Sequence, residues 1–404
     1  MPQVVYGVIF HWLGGLASGS FYVPYKAVRK WSWEVYWLAG GFFSWIIAPW
    51  IMALLLSKGV VPSIVTVLHD NPKAVGMAYL FGVLWGIGGL TFGLTMRYLG
   101  MSLGMAVALG LCTVLGTLLP DIYQGTILES IKTQPPYCVI LLGLGVCLLG
   151  VILAGVAGMS KERELPEEVK RESIKEFSFV KGVFIALISG LFSACMAFGL
   201  QAAEPIAIES ANHGTGDLWV GLPKLCVVLL GGFTTNFIWC MLLMLKNGTL
   251  YQFFTTTIND PDNKGQKVTI NYAWNLFFSA LAGTTWYFQF FFYSMGETRM
   301  GEYKFSSWTL HMASIIIFSS IWGLCLREWK GSSRFTKFVL GVAIFTLVYS
   351  TIIVGYGNLM KQTNAEEASA VQAVEKGATN IIEEAGDVLD NAVETLEAEP
   401  APAN

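Results

Sequence analysis

Charged side chains are scarce in this chain. Asp, Glu, Lys and Arg make up 13% of its 404 residues, whereas hydrophobic residues make up 54%. A soluble domain carries about 25% charged residues. A fold in water could not cover so much apolar surface, so we expect lipid to cover it. The composition therefore excludes an ordinary water-soluble protein.

The sequence also lacks the motifs of common catalytic and metal sites. It has no G-x-x-x-x-G-K-[ST] phosphate loop, no G-x-S-x-G elbow and no H-E-x-x-H pair. Its seven cysteines lie in or at the end of apolar stretches, without ligand spacing. We therefore expect no enzyme, cofactor, metal or disulfide. The basic residues sit in short loops, where they set membrane topology rather than bind nucleic acid.

What the chain does have is ten apolar stretches of about 20 residues, the length that an α-helix needs to cross a bilayer. None of them contains Asp, Glu, Lys or Arg. They cover residues 4–25, 35–56, 74–96, 98–119, 137–158, 182–203, 225–245, 272–295, 305–326 and 338–358. The first is too long for a cleaved signal peptide. The pattern predicts an all-α membrane protein with ten transmembrane helices.

Positive charges are unevenly divided between the two faces of such a bundle. Loops after odd-numbered stretches carry 17 Lys and Arg, and the opposite face carries 8. Because positive residues favour the cytoplasm, both termini are predicted to lie outside.

The charged loop 159–181 divides the helices into two sets of five, and an odd number per set predicts opposite orientations. Five residues recur at a constant offset of 175, with Gly7-Val8, Gly15-Leu16 and Ser18 returning as Gly182-Val183, Gly190-Leu191 and Ser193. Chance among glycine-rich helices explains this as well as a duplication does. Secondary transporters are commonly built as inverted repeats.

The predicted organisation is thus a 5+5 inverted repeat. Residues 1–158 form the first repeat, 159–181 a cytoplasmic linker and 182–360 the second repeat. Residues 361–404 form an acidic tail, which we expect to be disordered or transiently helical.

Some polar and aromatic side chains inside the stretches share helix faces at comparable depth. The first predicted helix has His11, Ser18 and Tyr22 on one face, the eighth has Trp286, Gln289 and Tyr293, and the ninth has Ser307, His311 and Ser314. Polar groups are costly in hydrocarbon and usually face the bundle interior or a wet cavity. Aromatic rings beside amide and imidazole groups suit a sugar, and imidazole can also carry a coupling proton.

Structural roles also explain these residues. A transmembrane His can simply be hydrogen-bonded to a neighbouring helix, although two at matching depth favour function. Trp286 and Tyr293 can equally face lipid or belong to the interfacial aromatic belt.

A second group of charged residues lies at the predicted inner face. Glu34, Arg97 and Glu328 end or begin spans there, near Lys26, Arg29 and Lys30. The two carboxylates are candidates for pairing with these cations when an inner gate closes. Alternatively, Ser32 caps the second helix and Glu34 complements its dipole.

Several segments resemble the bacterial L-rhamnose/proton symporter family of the drug/metabolite transporter superfamily. They are FYVPYK (21–26), KWSWE (30–34), WGIG (85–88), GLTMRYLGMS (93–102), WYFQFFFY (286–293) and SWTLHM (307–312). The resemblance implies a ten-helix 5+5 fold, residence in the cytoplasmic membrane and sugar uptake driven by protons. It adds Trp85 to the candidate substrate-binding residues. Residues 296–304 depart from the family pattern, notably at Lys304, and the tail lies outside it.

The predicted function is therefore a secondary transporter that imports L-rhamnose or a close relative with protons by alternating access. The alternatives are a membrane sugar sensor that transports nothing and an exporter of other metabolites from the same superfamily. The partners expected are sugar, protons and the lipid bilayer, with a homodimer left open. The site prediction assigns His11, His311, Glu34, Arg97 and Glu328 to proton coupling or the gate.

Overall fold

The computed structural model describes residues 3–124, 127–164, 178–260, 266–300, 307–357, 359–360 and 363–364. Most of the predicted linker, Lys304 and nearly all of the predicted acidic tail lie outside these residues.

The described chain is almost entirely helical. The first half contains α1 (Gln3–Ser20), α2 (Tyr22–Tyr25), α3 (Trp33–Phe42), a π turn (Phe43–Ile47), α4 (Ala48–Leu56), α5 (Val60–Asp70), α6 (Pro72–Leu99), α7 (Met101–Gln124), α8 (Ile127–Thr133) and α9 (Pro135–Glu164). The second half contains α10 (Phe179–Ser193), α11 (Cys195–Ala202), α12 (Glu204–Asn212), α13 (Leu222–Asn247), a 3-10 turn (Leu250–Phe253), β1 (Thr257–Asn259), β2 (Lys267–Thr269), α14 (Tyr272–Arg299), α15 (Ser307–Cys325) and α16 (Arg334–Gly357).

Within the described residues, six helical segments are long and apolar enough to cross a membrane. They are Trp33–Leu56, Pro72–Leu99, Pro135–Lys161, Phe179–Asn212, Leu222–Asn247 and Arg334–Gly357. The length and composition of these segments confirm the prediction of a helical membrane protein. Helices also cover the four remaining predicted stretches, as α1 with α2, α7, α14 and α15.

Proline explains two interruptions of the predicted spans. Pro24 has no N–H to bond the carbonyl of Ser20, where α1 ends, and its ring clashes with that carbonyl in a regular helix. Pro49 likewise has no N–H to bond the carbonyl of Trp45, which lies inside the π turn. In that turn, the Ala48 N–H donates to the carbonyl of Phe43, five residues earlier. The predicted spans 4–25 and 35–56 are therefore not uniform helices.

One small sheet lies among the described helices, and no periodicity in the sequence predicted it. Strands β1 and β2 pair antiparallel, with Ile258 opposite Val268. The hairpin lies between α13 and α14.

Loops at the two ends of the bundle are tied to the opposite half of the chain. At one end, the loop between α2 and α3 bonds the segment from α13 to α14: Asn275 Nδ2 donates to the Arg29 carbonyl at 2.9 Å, and Gln252 accepts from the Ser32 N–H. At the other end, the turn after α4 bonds the loop after α12, where the Lys58 N–H donates to Thr215 Oγ1 at 2.8 Å.

Candidate functional site

A cavity lies in the middle of the bundle, between helices of both halves. From the first half, α1, α2, α3, the π turn, α6 and α7 contribute to its lining. From the second half, α10, α11, α14 and α15 contribute. Ligand cavities of this kind are common between the helices of bundles.

Indole rings form one part of the cavity lining. The Trp85 and Trp286 ring centroids are 5.4 Å apart, and the Trp45 ring stands edge-on to Trp286 at 5.8 Å. Phe290 packs against Trp286 at 5.2 Å. Flat aromatic faces of this kind can stack on the C–H face of a sugar ring.

Polar groups lie beside these rings. Ser18 donates to Gln289 Oε1 at 2.7 Å, which joins α1 to α14 across the two halves. His311 from α15 also lines the cavity, and its Nδ1 has no hydrogen-bond partner among the described residues. Buried polar atoms are usually paired, so this part of the cavity has hydrogen-bonding capacity left for a ligand.

His11, Tyr293 and His311 form a contiguous cluster of rings. The centroid of Tyr293 is 5.4 Å from that of His11 and 5.3 Å from that of His311. The two imidazoles are 6.3 Å apart. His11 is fully buried, and neither of its ring nitrogens has a hydrogen-bond partner in the described part of the chain.

Glycines let the helices around this cluster approach closely. A Cβ at Gly14 would lie 2.9 Å from His311 Cε1, and one at Gly296 would lie 2.8 Å from His11 Nε2. Larger residues at either position would displace an imidazole.

The predicted substrate residues fall into two groups. Trp85, Trp286, Gln289 and His311 line the cavity. His11, Tyr22 and Tyr293 are not among its lining residues: His11 and Tyr293 lie behind His311, and Tyr22 packs against Phe21 and Tyr25.

Tyr22 lies to one side of the helix face that meets the cavity. The predicted shared face places it with His11 and Ser18, but the residues that line the cavity are Ser18, Phe21 and Tyr25, at i, i+3 and i+7. The helix is interrupted at Phe21, before Pro24.

Several cavity residues were not singled out from the sequence. They include Tyr25, Trp37, Ser44, Trp45, Ser193 and Met196. Only Ser193 carried a signal, as the counterpart of Ser18 in the offset repeat. The others lie in apolar stretches where periodicity does not tell cavity from lipid.

The predicted gate residues lie away from the cavity. Lys26 Nζ is 3.6 Å from Glu328 Oε1, and the Glu328 side chain is buried. Glu34 accepts from Asn247 Nδ2 at 3.0 Å and from Thr249 Oγ1 at 2.8 Å. Arg97 lies in the last turn of α6.

Metal ligation has no candidate cluster in the described residues. No group of three or more His, Cys, Asp or Glu side chains there could hold a metal ion. All seven cysteines are free.

Comparison with known proteins identifies the family. The chain matches the L-rhamnose-proton symport protein (RhaT) family over residues 2–360. L-rhamnose-proton symporters of Yersinia pestis (strain Pestoides F) and Yersinia pseudotuberculosis serotype O:1b (strain IP 31758) are each 36% identical over 362 residues, which cover 88% of this chain and 98% of theirs. No solved structure matches the chain. The chain therefore belongs to the L-rhamnose-proton symport protein family.

Proposed function

We propose that this protein imports L-rhamnose or a closely related deoxy-sugar together with protons, by alternating access across the cytoplasmic membrane. The observation that carries the proposal is the central cavity, where indole rings lie beside Gln289 and His311. The names of the relatives supply the substrate and the coupling ion.

The cavity chemistry fits a deoxy-sugar. Its polar side has Ser18, Gln289 and His311, which can bond ring hydroxyls. Leu109, Met196 and Ile315 supply an aliphatic part of the lining, which suits a methyl group. Burying that methyl in apolar surroundings favours a deoxy-sugar over its hydroxylated counterpart, although by a modest factor.

The fold that we propose is ten transmembrane helices in a 5+5 inverted repeat, and helix packing supports it. Helix α1 packs against α14 and α15, while its counterpart α10 packs against α6 and α7. Likewise, α3 packs against α14 while α13 packs against α6. Each contact thus has a partner when the halves are exchanged, as an inverted repeat requires.

The offset repeat makes equivalent contacts in both halves. A Cβ at Gly15 would collide with Ser314 of α15, and one at Gly190 would lie 2.8 Å from Leu111 Cβ of α7. Ser18 and Ser193 both line the cavity. These matched environments favour duplication over chance, and they support membership of the drug/metabolite transporter superfamily.

The gate that we propose closes the end of the bundle where α2 and α15 end. The Lys26–Glu328 ion pair joins the halves there, and Glu34 accepts hydrogen bonds from Asn247 and Thr249. The opposite end has the bond between Lys58 and Thr215. The symmetry that exchanges the two halves in the proposed repeat also relates the loops at the two ends of the bundle. A rocking motion of one half against the other can therefore break the contacts at one end while those at the other end stay intact.

For proton coupling we propose the cluster of His11, Tyr293 and His311. His311 contacts both the cavity and the Tyr293 ring, and Tyr293 contacts His11. Imidazole changes charge at physiological pH, so sugar binding beside His311 can depend on protonation. Arg97 stays a candidate gate residue.

The orientation with both termini outside rests on the distribution of positive charge. A reporter fused after residue 360 that is active only outside the cytoplasm tests it. Activity of a cytoplasmic reporter at that position would reverse the assignment.

Transport in liposomes tests the function. Purified protein should accumulate labelled L-rhamnose against its gradient only when protons flow inward, because the sugar moves uphill only with a coupled ion. Accumulation that persists after a protonophore collapses the gradient would exclude proton coupling. Sugar binding without exchange across the vesicle would favour a sensor, and preference for other metabolites in a competition panel would favour an exporter.

A further inference from the structure

The π turn Phe43–Ile47 brings two side chains to the cavity that no motif indicated. It joins α3 to α4 at mid-span, and Pro49 makes it favourable because Pro49 cannot donate to the Trp45 carbonyl. Single π turns inside α-helices are frequent at functional sites. Ser44 and Trp45 of this turn line the cavity.

The polar atoms of these two residues have no partner. Ser44 Oγ and Trp45 Nε1 are both buried, and neither is hydrogen-bonded within the described residues. Ser18 and Trp37 of the cavity lining are paired instead: Ser18 bonds Gln289, and Trp37 Nε1 donates to Asn236 Oδ1 at 3.0 Å. His311 Nδ1 is the other buried lining atom without a partner among the described residues. A buried polar group without a partner is costly, so a ligand that supplies partners here gains affinity.

Packing holds the Trp45 ring among the other indoles. Its centroid is 5.8 Å from Trp286, 6.4 Å from Trp85 and 6.3 Å from Trp37, each nearly edge-on. A Cβ at Gly41 would lie 2.6 Å from Trp45 Cζ3, so glycine at that position makes room for the ring. The ring is therefore fixed by its neighbours, while its N–H has no partner in the part of the chain that the structure describes.

We propose that Ser44 and Trp45 bind hydroxyl groups of the sugar, so that the π turn is part of the substrate site. This inference rests on the proposed sugar transport. The indole N–H can only donate, to a sugar oxygen, whereas the Ser44 hydroxyl can donate or accept. The π turn thus determines which hydroxyl pattern the cavity accepts, opposite the groups from α14 and α15.

Binding of L-rhamnose to purified protein tests this inference. Ser44→Ala removes one hydroxyl and keeps the packing, whereas Trp45→Phe removes the indole N–H together with part of the ring. The loss of one hydrogen bond to the sugar should weaken binding about three- to tenfold in each variant, measured by calorimetry. With a series of singly deoxygenated sugars, Ser44→Ala should bind one analogue as well as the wild type does.

Thermal unfolding separates a binding role from a structural one. Because Ser44→Ala removes only an unpaired buried hydroxyl, its melting temperature without sugar should equal or exceed that of the wild type. Its stabilisation by saturating L-rhamnose should be smaller. A structural role would lower the melting temperature without sugar instead.

Two control variants match these substitutions. Trp33 Nε1 is also buried and has no partner among the residues described, but Trp33 does not line the cavity, so Trp33→Phe should bind sugar normally. Ser279 is buried and donates to the Asn275 carbonyl, so Ser279→Ala tests loss of a serine hydroxyl outside the cavity lining.

Wild-type affinity in both π-turn variants would overturn the inference and leave the proposed transport function intact. Absence of L-rhamnose binding by the wild type would overturn both. Should Trp45→Phe not fold, Ser44→Ala decides alone, since it changes a single hydroxyl.

Discussion

At the scale of single residues, the polar groups of the cavity are few and come from separate helices. Ser18 reaches Gln289 from α1, and His311 lies beside them from α15. A polar group inside a membrane bundle is kept in place by partners on other helices. The proposed binding role of these side chains can therefore be tested one residue at a time.

The first prediction concerns Gln289 and His311. His311→Ala and Gln289→Ala should each abolish L-rhamnose uptake in vesicles while the protein still inserts, because both remove hydrogen-bonding groups from the cavity. His69→Ala and Gln201→Ala are matched controls at exposed positions and should keep uptake. Wild-type uptake in the two cavity variants would move the substrate site elsewhere.

A second prediction concerns Glu164, outside the spanning segments. Its carboxylate accepts from the Ser333 N–H, the Ser333 hydroxyl and Thr336 Oγ1, which ties the end of α9 to the start of α16. The bond from the Ser333 N–H, then those from the Thr336 and Ser333 hydroxyls, lower the pKa of Glu164 from 4.5 to about 2.

A lowered pKa in the folded state means that the ionised carboxylate stabilises the fold above pH 4.5, and that this stabilisation is lost as pH falls towards about 2. Glu164→Ala should therefore lower the melting temperature slightly at pH 7, with the difference shrinking over that range. Glu129→Ala at an exposed position is the control. A difference independent of pH would contradict the assignment.

At the scale of elements, close helix crossings hold the two halves together. Gly283 of α14 meets the Gly40 backbone of α3, and Gly82 of α6 meets the backbone of α13 near Val228 and Gly231. Small residues let backbones approach where lipid provides no hydrophobic driving force. The two crossings are counterparts in the proposed repeat, which explains why both use glycine.

The third prediction compares two glycines of α6. A Cβ at Gly82 would collide with the Val228 carbonyl, whereas one at Gly76 meets nothing within 4 Å. Gly82→Ala should destabilise the protein by about 1–3 kcal/mol through overpacking. Gly76→Ala should be neutral or stabilise by up to about 1 kcal/mol, since alanine is the better helix former. Thermal unfolding in detergent measures both, and equal melting temperatures would argue against a tight crossing.

At the scale of the whole molecule, transport requires the contacts at each end to break in turn. The end near α2 has the Lys26–Glu328 pair, the Glu34 bonds and the salt bridge from Lys30 to Asp260 at 2.6 Å. At the other end, the turn after α4 makes two hydrogen bonds to the opposite half, from the Lys58 N–H to Thr215 Oγ1 and from Ser57 Oγ to the Trp219 carbonyl. The more extensive network near α2 favours a state in which that end is closed.

The fourth prediction follows from that closure. Glu34→Ala removes the acceptor for Asn247 and Thr249, so it should raise the fraction of protein molecules that are open at this end of the bundle. Cys240 is buried on the same helix as Asn247. In a variant with Cys240 as its only cysteine, a membrane-impermeant maleimide should label that thiol faster, from the Glu34 side only.

Glu209→Ala, at the other end of the bundle, is the control for this labelling and should leave the rate unchanged. Equal labelling rates of Cys240 with and without the Glu34 side chain would show that Glu34 is not part of the gate.

Much of the fold was predictable because it depends on local properties of the sequence. Apolar length alone located helices over every predicted stretch, since a spanning segment must satisfy its backbone internally and cover itself with apolar side chains. Pro24 and Pro49 account for two interruptions, although the positions of Tyr22 and Ser44 relative to the cavity were not foreseen. The hairpin β1–β2 had no such signal, because it is short and depends on the surrounding loops.

By itself, the sequence determined a helical membrane protein, its family and four residues that line the cavity, Trp85, Trp286, Gln289 and His311. Only the tertiary structure decided that Tyr25, Ser44 and Trp45 line it too, and that His11 and Tyr293 lie behind His311. The reason is physical. In lipid, cavity-facing and lipid-facing sides of a helix are both apolar, so hydrophobic pattern cannot separate them, and only contacts between distant helices do.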